Sequence, residues 1–96
     1  MRYGKSASMP LLQRIRFYQQ MAVLARAGVP IRSSLQRMVK KVSGPEVREL
    51  ARQIEAGEPL ANAFVAARFS PFECHLVAAG ERTAQLEMVF EHLAQF

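Results

Sequence analysis

The side chains best suited to chemistry in this 96-residue chain are one cysteine and two histidines, of which Cys74 and His75 are adjacent. A catalytic cysteine needs a base within hydrogen-bond reach and a third group that orients the base. Neighbouring residues on a helix point about 100° apart, so this pair does not face each other. The other histidine, His92, completes no zinc-ligand spacing. The pair therefore indicates a small buried thiol beside an exposed histidine, and we predict no catalytic or metal-binding residue.

Glutamates are dense towards the C-terminus, where Glu87 and Glu91 lie one helical turn apart. A hard cation such as calcium could bind them together with a glutamate from a neighbouring chain, although a solvated acidic face is the simpler interpretation. Neither G-x-G-x-x-G nor G-x-x-x-x-G-K-[ST] occurs, so the sequence has no phosphate-binding loop. We therefore expect no enzyme activity, no ATP binding and no cofactor.

Basic residues are concentrated in the first half of the chain. The first 45 residues contain nine basic side chains and no acid, whereas the remainder contains four basic side chains and eight acids. Such asymmetry is typical of a surface that meets nucleic acid, acidic lipid or an acidic protein, although solvated helix faces give the same pattern. The candidate basic interaction surface comprises Arg14, Arg16, Arg32, Arg37, Lys40 and Lys41.

Nucleic acid is the main alternative partner. Residues 25–41 combine a helix, a glycine turn and a basic helix, which is the order of a helix-turn-helix. The start of the second helix nevertheless has few of the residues that read bases, since it offers only Arg32, Ser33, Ser34 and Gln36. We therefore keep a small basic nucleic-acid-binding domain as the second hypothesis.

The length suits one domain, and half of the residues are hydrophobic, which is enough for a single core. One cysteine allows no internal disulfide. No apolar run approaches the roughly 20 residues that cross a bilayer, and the basic N-terminus has no apolar region of a signal peptide. We predict a flexible tail over residues 1–9 and one helical domain over residues 10–96.

Apolar residues recur every three or four positions throughout the domain, which predicts an all-α, compact six-helix bundle with short connections. Four helices are expected to start at prolines, Pro10, Pro30, Pro59 and Pro71, and the third helix at Pro45 or Glu46. Gly28 and Gly57 end the first and third helices, and Gly28 is expected to have a positive φ. Ser70 and Thr83 are expected to cap the fifth and sixth helices.

The apolar stripes predict the core. Leu11 and Phe72 belong to the inward stripes of the first and fifth helices. Gly80 lowers the stability of the fifth helix by roughly 1 kcal/mol relative to alanine, so close backbone packing should compensate for it. Six residues are expected to be buried: Leu24, Leu35, Leu50, Phe64, Leu76 and Phe90.

Four segments of the chain carry recognisable motifs. Phe17–Ile31 reads FYQQMAVLARAGVPI, with an aromatic and a polar pair followed by an apolar run and A-G-[LVI]-P-[LIV]. It resembles the opening of the type II secretion system F domain, a family of inner-membrane platform proteins. Gly57–Phe64, GEPLANAF, resembles its G-x-x-L-x-x-A-[LF]. Phe69–Pro71 resembles its F-[PS]-P turn, and Ala78–Leu86, AAGERTAQL, resembles its A-x-G-E-x-[ST]-G-x-L. The segments occur in the family's order and extend the resemblance over nearly the whole chain.

The resemblance implies a six-helix cytoplasmic domain, usually present twice in a polytopic inner-membrane protein that forms the platform under a growing pilus or pseudopilus. Such a domain is a non-catalytic scaffold that contacts the hexameric assembly ATPase and other inner-membrane components, and it lies near an anionic membrane surface. The motif residues carried over have structural roles only: Gly28, Pro30, Gly57, Pro71, Gly80 and Glu81.

Two further expectations concern assembly and the last helix. A homodimer is expected through apolar residues of the first or last helix, such as Phe17 or Phe96. Ala84 stands where the family usually has glycine, so the cap of the last helix is expected to differ. A stand-alone regulatory module with the same fold is the third hypothesis.

Overall fold

The computed structural model of the protein describes residues 9–42 and 44–95. These residues form six α-helices and no strand: α1 (Leu11–Arg26), α2 (Ile31–Lys41), α3 (Pro45–Glu55), α4 (Leu60–Ala66), α5 (Pro71–Thr83) and α6 (Leu86–Leu93). The predicted all-α, six-helix fold is confirmed. Met9 is buried in the core ahead of α1, whereas residues 1–8 of the predicted tail lie outside the described residues.

Proline sets the start of the helices as the sequence predicted. Pro45 and Pro71 are the first residues of α3 and α5, while Pro10, Pro30 and Pro59 immediately precede α1, α2 and α4. A first helical turn leaves its N–H groups without intrahelical partners, so the N–H that proline lacks is not missed there. At α5 the Ser70 hydroxyl accepts a hydrogen bond of 3.2 Å from the backbone N–H of Glu73, which confirms the predicted cap.

The end of α1 also follows the sequence. Gly28 has a φ of +81°, as predicted, and the N–H of Val29 donates to the carbonyl of Leu24 at 2.9 Å. A left-handed residue reverses the chain here, and glycine adopts this conformation without the cost that a Cβ adds. The turn places α2 directly against α1.

The junction between α5 and α6 differs from the prediction that Thr83 caps the last helix. Thr83 is the last residue of α5, and its hydroxyl donates to the carbonyl of Ala79 at 2.9 Å. Gln85 occupies the position before α6, and Ala84 has a left-handed φ of +58°. The Thr83 hydroxyl is thus used inside its own helix, because α5 extends one turn further than expected.

Most of the predicted core is buried, although two of its residues are only half-buried. Leu35, Leu50, Phe64 and Phe90 are at most 1% exposed, whereas Leu24 and Leu76 pack at the edge of the core. Two residues of the inward stripes are exposed, Leu11 by 58% and Phe72 by 52%. Both lie in the first turn of their helices, where periodicity indicates the inward face but packing leaves more than half of each residue exposed.

Each helix packs against the next one along the chain, and α1 packs against α6 to close the bundle. Five aromatic rings hold the centre together, with ring-centroid distances of 5.2 Å for Phe17–Tyr18, 4.4 Å for Phe64–Phe69 and 6.3 Å for Tyr18–Phe90. None of the described helices combines the length and apolar character needed to cross a bilayer.

Candidate interaction surface

Two residues of the predicted basic surface meet where the start of α1 lies beside the end of α2. Arg16 and Lys41 line one groove of about 360 Å³, together with Leu12 on α1 and Val42 after α2. The short Gly28 turn makes the two helices run in opposite directions, which brings the first residues of one to the last residues of the other. Positions far apart in sequence thereby form one cationic groove.

Arg37 and Lys40 do not line this groove but extend its positive charge along α2. Both side chains are exposed, and Arg37 lies one helical turn before Lys41, so the two share one side of the helix. No ion pair among the described residues involves Arg16, Arg37, Lys40 or Lys41. We call these four residues the basic face.

The other two predicted residues lie elsewhere. Arg32 pairs with Glu55 of α3 at 3.3 Å, so its charge is offset on the opposite side of α2. Arg14 is half-buried and donates to the carbonyl of Met9 at 3.4 Å. Arg32 therefore points towards α3 and Arg14 towards the core, so neither side chain points towards the α1–α2 groove. The structure therefore brings together four of the six predicted residues.

Most of the side chains that a helix-turn-helix would use to read bases at the start of α2 are buried or bonded to Glu55. Ser34 is 1% exposed, and its hydroxyl has no hydrogen-bond partner among the described residues. The side-chain amide of Gln36 donates to Glu55 at 2.9 Å, beside the Arg32–Glu55 ion pair. Of the four side chains that the sequence offered for base contacts, only Ser33 is neither buried nor bonded to Glu55.

Two motif segments that are distant in sequence line a second groove, of about 490 Å³. One wall comes from Gly28 and Pro30 after α1, and the other comes from Gly80, Glu81 and Leu86. We call it the motif groove. It forms because α1 packs against α6, which follows the segment containing Gly80 and Glu81.

Glu81 holds the start of α4. Its carboxylate accepts hydrogen bonds from the backbone N–H groups of Leu60 at 2.6 Å and Ala61 at 3.0 Å. Pro59 precedes the helix and has no side chain that caps it. A carboxylate is favourable there because the helix dipole and two free N–H groups meet at the same point. Glu81 therefore caps a helix to which it does not belong.

Gly80 permits the close contact between α5 and α6. A Cβ at this position would lie 2.8 Å from Cγ2 of Val89 and 3.1 Å from Cδ2 of Leu86. The close approach that the sequence predicted to compensate for a glycine inside a helix is therefore present. The other two motif residues set boundaries: Gly57 follows α3 with a φ of +92°, and Pro71 begins α5.

A buried polar pair that the sequence did not reveal joins α1 to α5. The hydroxyl of Tyr18 donates to the carboxylate of Glu73 at 2.9 Å, and both side chains are buried. Burial, with a further contribution from the nearby Glu73 carboxylate, raises the pKa of Tyr18 above its ordinary range. The Ser70-x-x-Glu73 spacing indicates a capping box, which could have drawn attention to Glu73 but not to its partner.

The residues considered for chemistry are dispersed. Cys74 is half-buried and its thiol contacts the carbonyl of Phe69 at 3.6 Å, while His75 is exposed. Burial, with a smaller contribution from the Glu73 carboxylate, raises the pKa of the Cys74 thiol, which favours its protonated form. Within residues 9–42 and 44–95 no three histidine, cysteine or acidic side chains are grouped as metal ligands.

The glutamates considered for a cation serve a different contact. Glu87 accepts from Arg26 of α1 at 3.0 Å, and Glu91 pairs with the same guanidinium. This cluster fastens the end of α1 to α6. It also offsets the charge of Arg26, which leaves the basic face as the cationic part of α1 and α2.

The described residues form an all-helical bundle in which the motif residues act as caps and packing contacts. The chain belongs to the family described as "Type II secretion system (T2SS), protein F", whose family model matches residues 17–96. This match confirms the resemblance found in the four sequence segments.

Curated relatives agree with the family match. The chain is 32% identical over 84 residues to the type IV pilus assembly protein TapC of Aeromonas hydrophila, covering 81% of this chain and 20% of the relative. It is 27% identical over 105 residues to the type II secretion system protein F of Pseudomonas aeruginosa, covering 97% of this chain and 26% of the relative. It is 30% identical over 86 residues to the type IV pilus assembly protein PilC of the same organism, covering 83% of this chain and 23% of the relative. The chain thus spans a fifth to a quarter of these relatives' length. No solved structure matches it significantly.

Proposed function

We propose that the chain is a non-catalytic interaction module of a platform protein in a type II secretion or type IV pilus machine. In this proposal the module lies on the cytoplasmic side of the inner membrane and contacts the assembly ATPase and other inner-membrane components. The observation that carries it is the use of the motif residues. Glu81 caps α4 and Gly80 lets α6 approach α5. These motif positions therefore stabilise the fold that presents the surfaces and do not form a reactive centre.

Two surfaces of the fold are suited to partners. The basic face offers cationic side chains without acidic partners among the described residues. The motif groove offers a concave, largely apolar surface whose two walls come from separate motif segments. A scaffold needs more than one such surface because it joins components to each other.

Binding to the assembly ATPase tests the central part of the proposal. The ¹⁵N-labelled 10.8 kDa chain is titrated with the purified hexameric ATPase of the same organism's machine, and amide signals are followed by NMR. We expect a roughly micromolar Kd and signal changes confined to one contiguous surface, the motif groove or the basic face. An unrelated hexameric ATPase is the control. Absence of any signal change at a large excess of ATPase would contradict the proposed contact.

A homodimer is the second part of the proposal, but its contact cannot include Phe17. That side chain is fully buried, and Phe96 lies outside the described residues. Leu11 and Phe72 are exposed apolar residues that line one depression of about 140 Å³ between α1 and α5. The inward face of α1 is packed against the neighbouring helices, so we place the contact with a second copy at the exposed start of α1.

Sedimentation at protein concentrations up to about 1 mM tests the dimer. Leu11→Ser is expected to weaken self-association, while Leu12→Ser, a change to an equally exposed leucine on another side of α1, is the matched control. A chain that stays monomeric over the whole concentration range would refute this part alone.

A further inference from the structure

The solvent side of α1 carries one basic side chain, Arg16, with an exposed apolar side chain one turn before it and another two turns after it. Leu12 is 60% exposed and Val23 is 51% exposed. Their spacing places them on the same side of the helix as Arg16, roughly 17 Å apart along the axis. Burying either side chain would be favourable, yet no element of the described chain covers them. This face therefore combines unpaired positive charge with unused apolar surface.

The charge on this face is continuous across two helices. Leu12 and Arg16 share their groove with Lys41, and Arg37 and Lys40 extend the positive charge along α2. Three acids near the face are engaged in ion pairs: Glu55 pairs with Arg32, and Glu87 and Glu91 pair with Arg26. The face thus presents net positive charge to whatever binds it.

We propose that the α1–α2 face docks onto an anionic phospholipid surface. Arg16, Arg37, Lys40 and Lys41 bind the lipid phosphates, and Leu12 and Val23 enter the boundary between headgroups and acyl chains. Basic residues flanking exposed apolar ones on a helix are the pattern of interfacial membrane contact. The inference deepens the proposed function and rests on it only in requiring a membrane close to the module.

The apolar side chains favour lipid over nucleic acid. Phosphates of a duplex would satisfy the four cations equally well, but they would leave Leu12 and Val23 in water. A bilayer surface satisfies both, because it offers phosphates and hydrocarbon a few ångströms apart along its normal. Leu12 would therefore be buried on binding to a bilayer but would stay in water on binding to a duplex.

Vesicle binding measures the charge contribution. The 96-residue chain is expected to bind vesicles with about 30 mol% phosphatidylglycerol and not pure phosphatidylcholine, and binding should weaken as salt rises. Each basic residue removed from the face should lower the partition coefficient about fivefold, so Arg37→Gln with Lys41→Gln should lower it about 25-fold. Arg48→Gln with Arg82→Gln removes the same charge from exposed positions on other helices and should have a much smaller effect.

Insertion of Leu12 is measured directly, because the chain contains no tryptophan. Leu12→Trp should show a blue-shifted emission on anionic vesicles and quenching by lipids brominated on their acyl chains. Val65→Trp, at a valine that is 64% exposed on α4, is the matched control and should show neither effect. Circular dichroism of each variant verifies that the helices are retained.

Three results would overturn the inference: equal binding to neutral and anionic vesicles, equal tryptophan shifts at positions 12 and 65, or displacement of the chain from vesicles by duplex DNA at equal phosphate concentration. The last would assign the face to nucleic acid. The ATPase titration is done without lipid, so a chain that binds the ATPase but not the vesicles refutes this inference and leaves the proposed function intact.

Discussion

The carboxylate of Glu81 in α5 accepts a hydrogen bond of 2.6 Å from the backbone N–H of Leu60, the first residue of α4. A second bond from Ala61 makes the contact bidentate. The glutamate of one motif segment thus caps the helix that begins in another, so the two segments are joined by a direct contact.

Removal of this cap should destabilise the fold. Glu81→Ala is expected to lower the free energy of unfolding by about 2 kcal/mol, and Glu81→Gln, which keeps an acceptor but loses the charge, by about 1 kcal/mol. Urea denaturation measures both changes. Glu58→Ala is the control, since this exposed glutamate accepts a hydrogen bond from the side chain of Asn62, and a surface change of this kind usually shifts stability by less than about 0.5 kcal/mol. Equal effects at the two positions would argue against the cap.

The Tyr18–Glu73 hydrogen bond predicts a specific loss of stability at alkaline pH. Because the pKa of Tyr18 is raised in the folded chain, the unfolded chain releases this proton first. Protonated Tyr18 makes its full contribution to the free energy of unfolding below the ordinary tyrosine pKa of about 10. Above that pH its contribution falls by up to about 1.4 kcal/mol per pH unit. In Tyr18→Phe this component is absent, so the stability curve above pH 10 should be shallower.

At neutral pH the same variant should be less stable by about 1–3 kcal/mol, because the buried Glu73 carboxylate loses its hydrogen-bond donor. Urea midpoints between about pH 7 and 11 give both effects. Parallel curves for the two proteins above pH 10 would show that Tyr18 does not keep its proton as the buried hydrogen bond requires.

The contact at Gly80 predicts a clash. Alanine favours a helix over glycine by about 1 kcal/mol, but its Cβ would lie 2.8 Å from Val89. We expect the cost of the clash to exceed the gain in helix propensity, so that Gly80→Ala lowers the free energy of unfolding by about 1–2 kcal/mol. Adding Val89→Ala should relieve it, and the double variant should be more stable than the sum of the single changes. A higher melting temperature for Gly80→Ala alone would refute the close packing.

Ala84 and Gly28 form a matched test of backbone strain. Ala84 has a φ of +58°, where a Cβ costs about 1–2 kcal/mol, so Ala84→Gly should raise stability by about 1 kcal/mol. Gly28 has a φ of +81°, and a Cβ there would meet no atom within 4 Å, so Gly28→Ala should lower stability by a similar amount through conformation alone. Thermal unfolding compares the two, and changes of the same sign would contradict the assigned backbone conformations.

The helices and their boundaries follow from the sequence because their determinants are local. Proline lacks an N–H wherever it stands, glycine tolerates a positive φ at position 28, and the Ser70 hydroxyl reaches an N–H three residues later. The 3.6-residue period likewise identified the inward faces that bury Leu35 and Phe90. These signals also carried the family resemblance, since its motifs are mostly turns and caps.

Tertiary packing alone decided the rest. Tyr18 and Glu73 are 55 residues apart, and Glu81 and Leu60 are 21 apart, so no local rule pairs them. The rotation of each helix about its axis is set by its neighbours, and this rotation separates Arg32 from the basic face. The same packing leaves Leu12 exposed while it buries Phe17. Sequence determined which residues form helices, whereas the packing of α1 against α2 and α6 determined which of their side chains remain available to a partner.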